Sequence, residues 1–499
     1  MPAPYDFRPR PPAARRRKNS LVDVELDPVQ RAAVALPAGA ALLVLGEAGH
    51  GKTTVALHRL AHVWRSSPAT VRAAVVVPTD GLVRLLQPLL RKLGVDVEVQ
   101  TYDRWAAAQA RRAFRRLPPE SDSTPPAVSG LKRHPALRRA LADLAAGPPR
   151  RIDEDAPAPP AAAMTTRADL LHLFGDRVLL EGVARPAGIS PRAVDETLDR
   201  TRVQFSATSE QEWSHVTDRQ RLVAVDRRAL DEGTPSGSAG TVDVEDYAVL
   251  FELDHLRAER LRRRTAARRI FDVVMIDEAQ EMAPLELALL GRTLKPDGTL
   301  IVAGDAQQHM DTTATFLDWA ATMRELGRPA HETVTLDIGY RCPPEVVLLA
   351  RSVLSPDAPV PGATVVRTFD SEQRLDRWAA RELGNLQRRD RRSSVAILCR
   401  SPLRARRLAA SLQASDCPAR VVFDGRFLPR GVQVTTVDQV KGLEFDFVLL
   451  ADAGAREFPV DDFARRALYV AVTRARHQVV LACVGEPSPL IPAPARRGP

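Results

Sequence analysis

Large aromatic side chains are scarce in this sequence: Phe, Trp and Tyr together make up 5% of its 499 residues. Stacking platforms for single-stranded nucleic acid are correspondingly sparse. Cysteine is scarcer still. Cys342, Cys399, Cys417 and Cys483 lie far apart, with no paired metal-ligand spacing and no disulfide density. That pattern fits a reducing cytoplasm and argues against a cysteine-built metal cluster. No apolar run approaches the roughly 20 residues that span a bilayer, so no membrane partner is expected. The longest, such as Ala40 to Leu45, have the length of buried strands. The basic N-terminus is followed by no apolar signal region, and a cytoplasmic location is expected. There is no internal repeat.

What the chain does have is positive charge, a formal net +9. The surplus is compatible with a polyanionic partner, and equally with an Arg-, Ala- and Pro-rich composition. At 54.7 kDa the chain is too long for one compact core and should form several domains. Residues 1–21 read as a disordered basic tail. From about residue 22, apolar runs (41–45, 73–77) alternate with helix-like stretches (52–65, 82–93), the signature of a parallel α/β sheet. Between about residues 106 and 269 the pattern becomes helical, Arg-rich and loop-broken, as an insertion would be. Strand-like runs return at 271–276 and 299–303. A second α/β region spans 342–487, and 488–499 reads as a loose Pro-rich tail.

Gly46-Glu47-Ala48-Gly49-His50-Gly51-Lys52-Thr53 fits G-x-x-x-x-G-K-[ST]. Gly46, Gly49 and Gly51 let the backbone wrap closely, so that its N–H groups can face phosphates. Lys52 neutralises the β- and γ-phosphates, the Thr53 hydroxyl suits Mg²⁺, and Thr54 continues the binding run. These residues point to ATP and Mg²⁺ as cofactors. Asp272 to Ile276 is an apolar strand ending in Asp277-Glu278-Ala279-Gln280. In a parallel sheet that end shares an edge with the phosphate loop. Asp277 can then hold Mg²⁺, and Glu278 can orient and deprotonate water.

With these two sites the chain resembles superfamily 1 helicases of the UvrD/Rep type. Leu26 to Gln30 resembles their adenine-reading Q motif, with Gln30 on the base. Val76-Val77-Pro78-Thr79 and Gln100-Thr101-Tyr102 resemble the strand-binding motifs Ia and Ib. Gly304-Asp305-Ala306-Gln307-Gln308 resembles motif III, with Gln308 near the γ-phosphate. Gly339-Tyr340-Arg341 resembles motif IV, where Tyr340 stacks on the base and Arg341 is an arginine finger. Val440 to Phe445 resembles motif V, with Gly442 and Glu444 at the ribose. Leu468 to Ala475 resembles motif VI, with Arg474 the second arginine at the γ-phosphate.

The resemblance implies two RecA-like P-loop domains, residues 22–341 with the helical insertion and residues 342–487. It implies an ATP-hydrolysing translocase or helicase on single-stranded DNA. In motif detail (Glu245 to Leu250, Trp319, Cys342 to Glu345, Gly442 to Asp446) the chain looks like HelD-type ATPases, which act on RNA polymerase. Those carry a long N-terminal coiled-coil arm, whereas only a basic tail precedes Gln30 here. Remodelling of RNA polymerase or another protein complex is therefore a second expectation. An ATP-controlled binding switch without translocation is a third. Two features depart from the UvrD pattern. No aromatic follows motif III in His309 to Thr313. Roughly ninety residues between Arg341 and motif V leave no room for a large second insertion.

In the first insertion, Arg111-Arg112, Arg115-Arg116, Lys132-Arg133, Arg138-Arg139 and the run from Arg257 to Arg269 recur at helix-like spacing. They could track phosphates or form solvated faces. Trp105, Trp213 and Tyr102 could stack on bases or fill the core.

Overall fold

The computed structural model describes residues 6–10, 21–66, 71–114, 117–146, 166–205, 239–339, 342–355 and 365–492. Tyr340, Arg341, Arg115, Arg116 and Trp213 lie outside them. The first sheet has β1 (Ala41–Gly46), β2 (Ala73–Val77), β3 (Val99–Thr101), β4 (Phe271–Ile276), β5 (Leu294–Gly304) and β6 (Glu332–Leu336). Their order is β3-β2-β4-β5-β1-β6, and every pairing is parallel. Both faces are covered, so the strands are apolar throughout. Val273 and Met275 enter one core, under the helices Lys52–Ser66 and Asp80–Lys92; Val274 and Ile276 enter the other. Register aligns Leu45 with Gly304, and Gly46 with Leu336. The phosphate loop and the turns after β4 and β5 therefore leave the sheet along one edge.

The expected insertion is helical. Its helices include Pro126–Arg133, Leu137–Ala146, Thr166–Gly175, Pro191–Phe205 and Glu245–Arg260. It is no separate body, because Leu141, Phe174 and Phe251 share a core with β2, β4 and β5. Much of its basic charge turns inward rather than toward phosphates. Lys132 bonds Asp243 (2.8 Å) and Asp246 (2.7 Å) out of contact with solvent. Arg138 pairs with Glu325, and Arg257 with Asp169. Unpairing a charge as buried as Lys132 typically costs about 3–5 kcal/mol. Trp105 and Tyr102 are core residues, their rings 6.0 Å apart.

The second sheet holds β7 (Val365–Phe369), β8 (Ser394–Cys399), β9 (Ala419–Val421), β10 (Gly431–Thr436), β11 (Phe445–Leu450) and β12 (Ala475–Val484). Its order is β7-β12-β11-β8-β10-β9, again all parallel. The molecule thus has two parallel α/β sheets of RecA-like kind. Among the described residues no helix is long and apolar enough to cross a membrane.

Two expectations of disorder need correcting. Asp6 to Arg10 lie on the second sheet, whereas Val22 packs into the first. Phe7 is 2% exposed and meets Phe447 edge-on at 5.9 Å. Gln478 exchanges hydrogen bonds with the Asp6 carbonyl (2.8 Å) and the Arg8 N–H (2.9 Å). Arg10 pairs with Asp390 (2.8 Å) and Asp446 (2.9 Å). A short basic stretch reads as solvated, but one buried aromatic and these four polar contacts outweigh that. At the other end, Leu490 and Ile491 are buried, and the Ser488 hydroxyl bonds the Phe458 carbonyl (2.6 Å). Phe7→Ala is expected to lower stability by up to about 3 kcal/mol, read from the denaturant midpoint of the second sheet's unfolding.

Candidate functional site

The phosphate loop is shaped by three glycines with positive φ, Gly46, Gly49 (83°) and Gly51. Gly46 has φ 152°, and a Cβ there would stand 2.7 Å from the Leu336 carbonyl oxygen. Gly51 has φ 91°, and a Cβ would meet Gln30 Nε2 at 3.0 Å. Lys52 Nζ donates to the carbonyls of Gly46 (2.8 Å) and Glu47 (3.1 Å) and lies 3.8 Å from Asp305. Thr53 Oγ1 donates to Asp277 Oδ2 at 2.9 Å, joining the two motifs. Asp277 is 1% exposed. Burial, then the neighbouring Glu278 charge, pushes its carboxyl up to about 7. A buried carboxyl beside a second acid and a hydroxyl is a donor set that fits Mg²⁺, whose charge would offset both effects.

Glu278 adopts φ 57° and ψ 44°, a left-handed backbone that a glutamate takes only at a cost. Gln280 Nε2 holds its Oε2 at 2.6 Å, while Gln280 Oε1 accepts the Asp305 N–H (3.1 Å). The acid is thus clamped to the turn after β5. That turn has no room for a side chain at Gly304, where a Cβ would lie 2.2 Å from the Trp319 ring and 2.6 Å from Gln280 Oε1. Gln308 Nε2 donates to Asp305 (2.8 Å).

The second sheet completes the cluster. Helix Asp462–Thr473, capped by Asp461, ends at Arg474. Arg474 Nη2 donates to Gln308 Oε1 at 2.7 Å, and its Nε holds the Val470 carbonyl (3.0 Å). One turn earlier, the Tyr469 hydroxyl accepts the Ala48 N–H of the phosphate loop (3.4 Å). Arg351 reaches Glu47 (3.2 Å). A cleft of about 360 Å³ runs along Gly46, Glu47, His50, Asp305 and Arg351.

The structure therefore brings together Lys52, Thr53, Asp277, Glu278, Gln308 and Arg474. Gln30 lies behind the loop, boxed with Asp27 at a helix start and 3.5 Å from the His50 carbonyl. Thr54 turns its hydroxyl away to the Leu21 carbonyl (3.1 Å). Gly442 packs on Leu82, where a Cβ would stand at 2.4 Å. Glu444 lies 3.6 Å from Arg476. The residues expected at the strand divide between the surface and the core. Thr79 and Thr101 accept N–H bonds at the starts of their helices, Thr101 and Tyr102 are buried, and Pro78 and Thr79 are partly exposed. Sequence reasoning assigned no role to Gln280, Asp305 or Tyr469. All three stand inside the quoted motifs, which was the available signal.

Residues 30–314 match the family described as AAA domain, more than half of the chain. The chain belongs to that AAA-domain family. Residues 431–482 match the UvrD-like helicase C-terminal domain. The two matches together support a helicase-type NTPase. No curated protein matches it. Among solved structures it is similar to the C-terminal domain of a possible DNA helicase from Lactobacillus plantarum WCFS1. The two are 24% identical over 32% of this chain and 95% of that one, with a TM-score of 0.27.

The NTPase has a second concave site, about 590 Å³, where the chain leaves β8 and β11 in opposite directions. Arg400, Arg404, Arg407 and Arg456 line it with Glu372, Asp452, Glu457 and Glu486, so it is of mixed charge. Asp452 accepts the Arg400 N–H (2.7 Å), and burial pushes its carboxyl from 3.8 up to about 7. Between those values the folded chain keeps a proton that the unfolded chain has released, so this group weakens the fold as pH rises. Asp452→Asn should gain stability over the wild type at pH 8 and none at pH 4, by paired denaturant curves. Gly304→Ala should cost about 1–3 kcal/mol by overpacking against Trp319, measured the same way.

Proposed function

We propose that this NTPase is an ATP-driven translocase acting on single-stranded DNA. The observation that carries the reading is the 2.7 Å bond from Arg474 to Gln308, because it ties the second sheet to the groups around Lys52. Phosphoryl transfer gathers negative charge on equatorial oxygens, and catalysis is largely its stabilisation. Lys52 supplies one positive charge from the first sheet, Arg474 a second from the other, and Arg341 a third. Thr53 and Asp277 would hold Mg²⁺, which neutralises the phosphates when bound. Glu278, with its Oε2 held by Gln280, takes the proton of the attacking water on its carboxylate. Gln30 reads the adenine, with Tyr340 stacked on it, and Glu444 meets the ribose.

A site divided between two sheets closes when the γ-phosphate is present and relaxes after cleavage. The Arg474–Gln308 bond and the Tyr469–Ala48 contact are where that closure registers. Alternating closure against a bound strand is what a translocase needs. The net charge of +9 supports a polyanion as the track.

Steady-state ATP hydrolysis with and without single-stranded DNA tests the reading. Lys52→Ala is expected to lower kcat by about 10²-fold or more. The wild type should be strongly stimulated by DNA, and the stimulation should vanish at high salt. Turnover that depends on Lys52 but ignores DNA would sink the translocase reading and favour remodelling of a protein partner.

A further inference from the structure

The helical insertion reaches the hydrolytic edge through the side chain of Arg133. Arg133 ends the helix Pro126–Arg133. Its Nε and Nη2 grip both oxygens of Glu286 (2.8 and 3.0 Å). Its Nη1 donates to Asp311 Oδ2 and Thr313 Oγ1, both at 2.5 Å. Nη2 also meets the Glu281 carbonyl (3.1 Å). Every one of these partners lies outside the insertion. Glu281 and Glu286 follow β4, just beyond Glu278 and Gln280. Asp311 and Thr313 follow β5, just beyond Asp305 and Gln308.

Glu281 is itself a junction. Its carboxylate accepts the N–H groups of Met310 (3.0 Å) and Asp311 (3.1 Å). It also accepts Lys441 Nζ, from the second sheet, at 2.7 Å. The ion pair is largely buried, with side-chain exposures of 13% for Lys441 and 3% for Glu281. The loops after β4 and β5 are thus bound to each other and to the second sheet. Arg133 grips both from the insertion side.

We propose that Arg133 is a positioning residue for nucleotide hydrolysis. It holds the loops after β4 and β5 at the spacing in which Glu281 receives Lys441 and Gln308 receives Arg474. The assignment rests on the NTPase reading of that edge. Its chemistry is specific to a guanidinium. Only a planar fork serves Glu286 in two-point fashion while reaching Asp311, Thr313 and the Glu281 carbonyl together; an ammonium on a flexible stem keeps the charge but not the geometry. A purely architectural role is already served by Arg138, which fixes the next helix to Glu325 and touches neither loop.

The test uses the full chain and three variants, Arg133→Gln, Arg133→Lys and Arg138→Gln, each assayed well below its melting temperature. Arg133→Gln should lower kcat for ATP about tenfold or more with KM changed less than about threefold, because small misplacements of reacting groups are costly. Arg133→Lys should restore the melting temperature but only part of kcat. Arg138→Gln should lower the melting temperature and leave kcat within about twofold. Amide exchange of residues 279–283 and 309–313 should quicken in both Arg133 variants and stay unchanged in Arg138→Gln.

Wild-type kcat in Arg133→Gln, or an equal loss in Arg138→Gln, would overturn the proposal. Unchanged exchange at both loops would overturn it whether or not ATP is turned over. A wild type that hydrolyses no ATP while the loops still loosen would instead sink the ATPase reading. Should Arg133→Gln fail to fold, Arg133→Lys carries the test, and full kcat in it overturns the proposal.

Discussion

A buried arginine of one sheet bonded to a glutamine of the other is the contact on which the rest of this molecule turns. Arg474 is aimed by the carbonyls of Val470 and Leu443, and Gln308 by Asp305, so neither partner is free to rotate. Both are buried, which strengthens the bond and raises the cost of leaving either one unpaired. Asp305 also faces Lys52. A line of polar contacts therefore runs from the phosphate loop to the last helix of the second sheet.

The same edge concentrates unfavourable terms. Two neighbouring acids are buried, and one of them, Glu278, has a left-handed backbone. Burial with like charge raises the Asp277 carboxyl toward neutrality, a state in which it cannot serve a cation well. A divalent cation would offset the burial and like-charge terms on Asp277. Strain and desolvation of this kind persist where function needs them and the surrounding packing holds them in place.

That packing comes from three directions. Gln280 and Gly304 fix the acid against β5 and the Trp319 ring. Lys441 brings the second sheet onto Glu281. The insertion, which shares a core with the first sheet, grips the loops through Arg133. Asp6 to Arg10 adds a contact of another kind, since these residues lie on the second sheet while Val22 packs into the first.

The phosphate loop, the acid-ended strand and the two parallel sheets are legible in the order of residues alone. These are written locally: a glycine pattern, a short apolar run, an alternation of strand and helix within a few dozen residues. The tertiary structure decided what the polar side chains do. It turned Lys132, Arg138 and Arg257 inward, although their spacing also suits an exposed basic face. It used Thr79 and Thr101 as helix caps and sank Tyr102 into the core. It drew Phe7 onto Phe447 and Arg474 onto Gln308. A hydrogen bond or ion pair requires apposition within about 3 Å, and only the folded chain brings residues so distant in sequence that close.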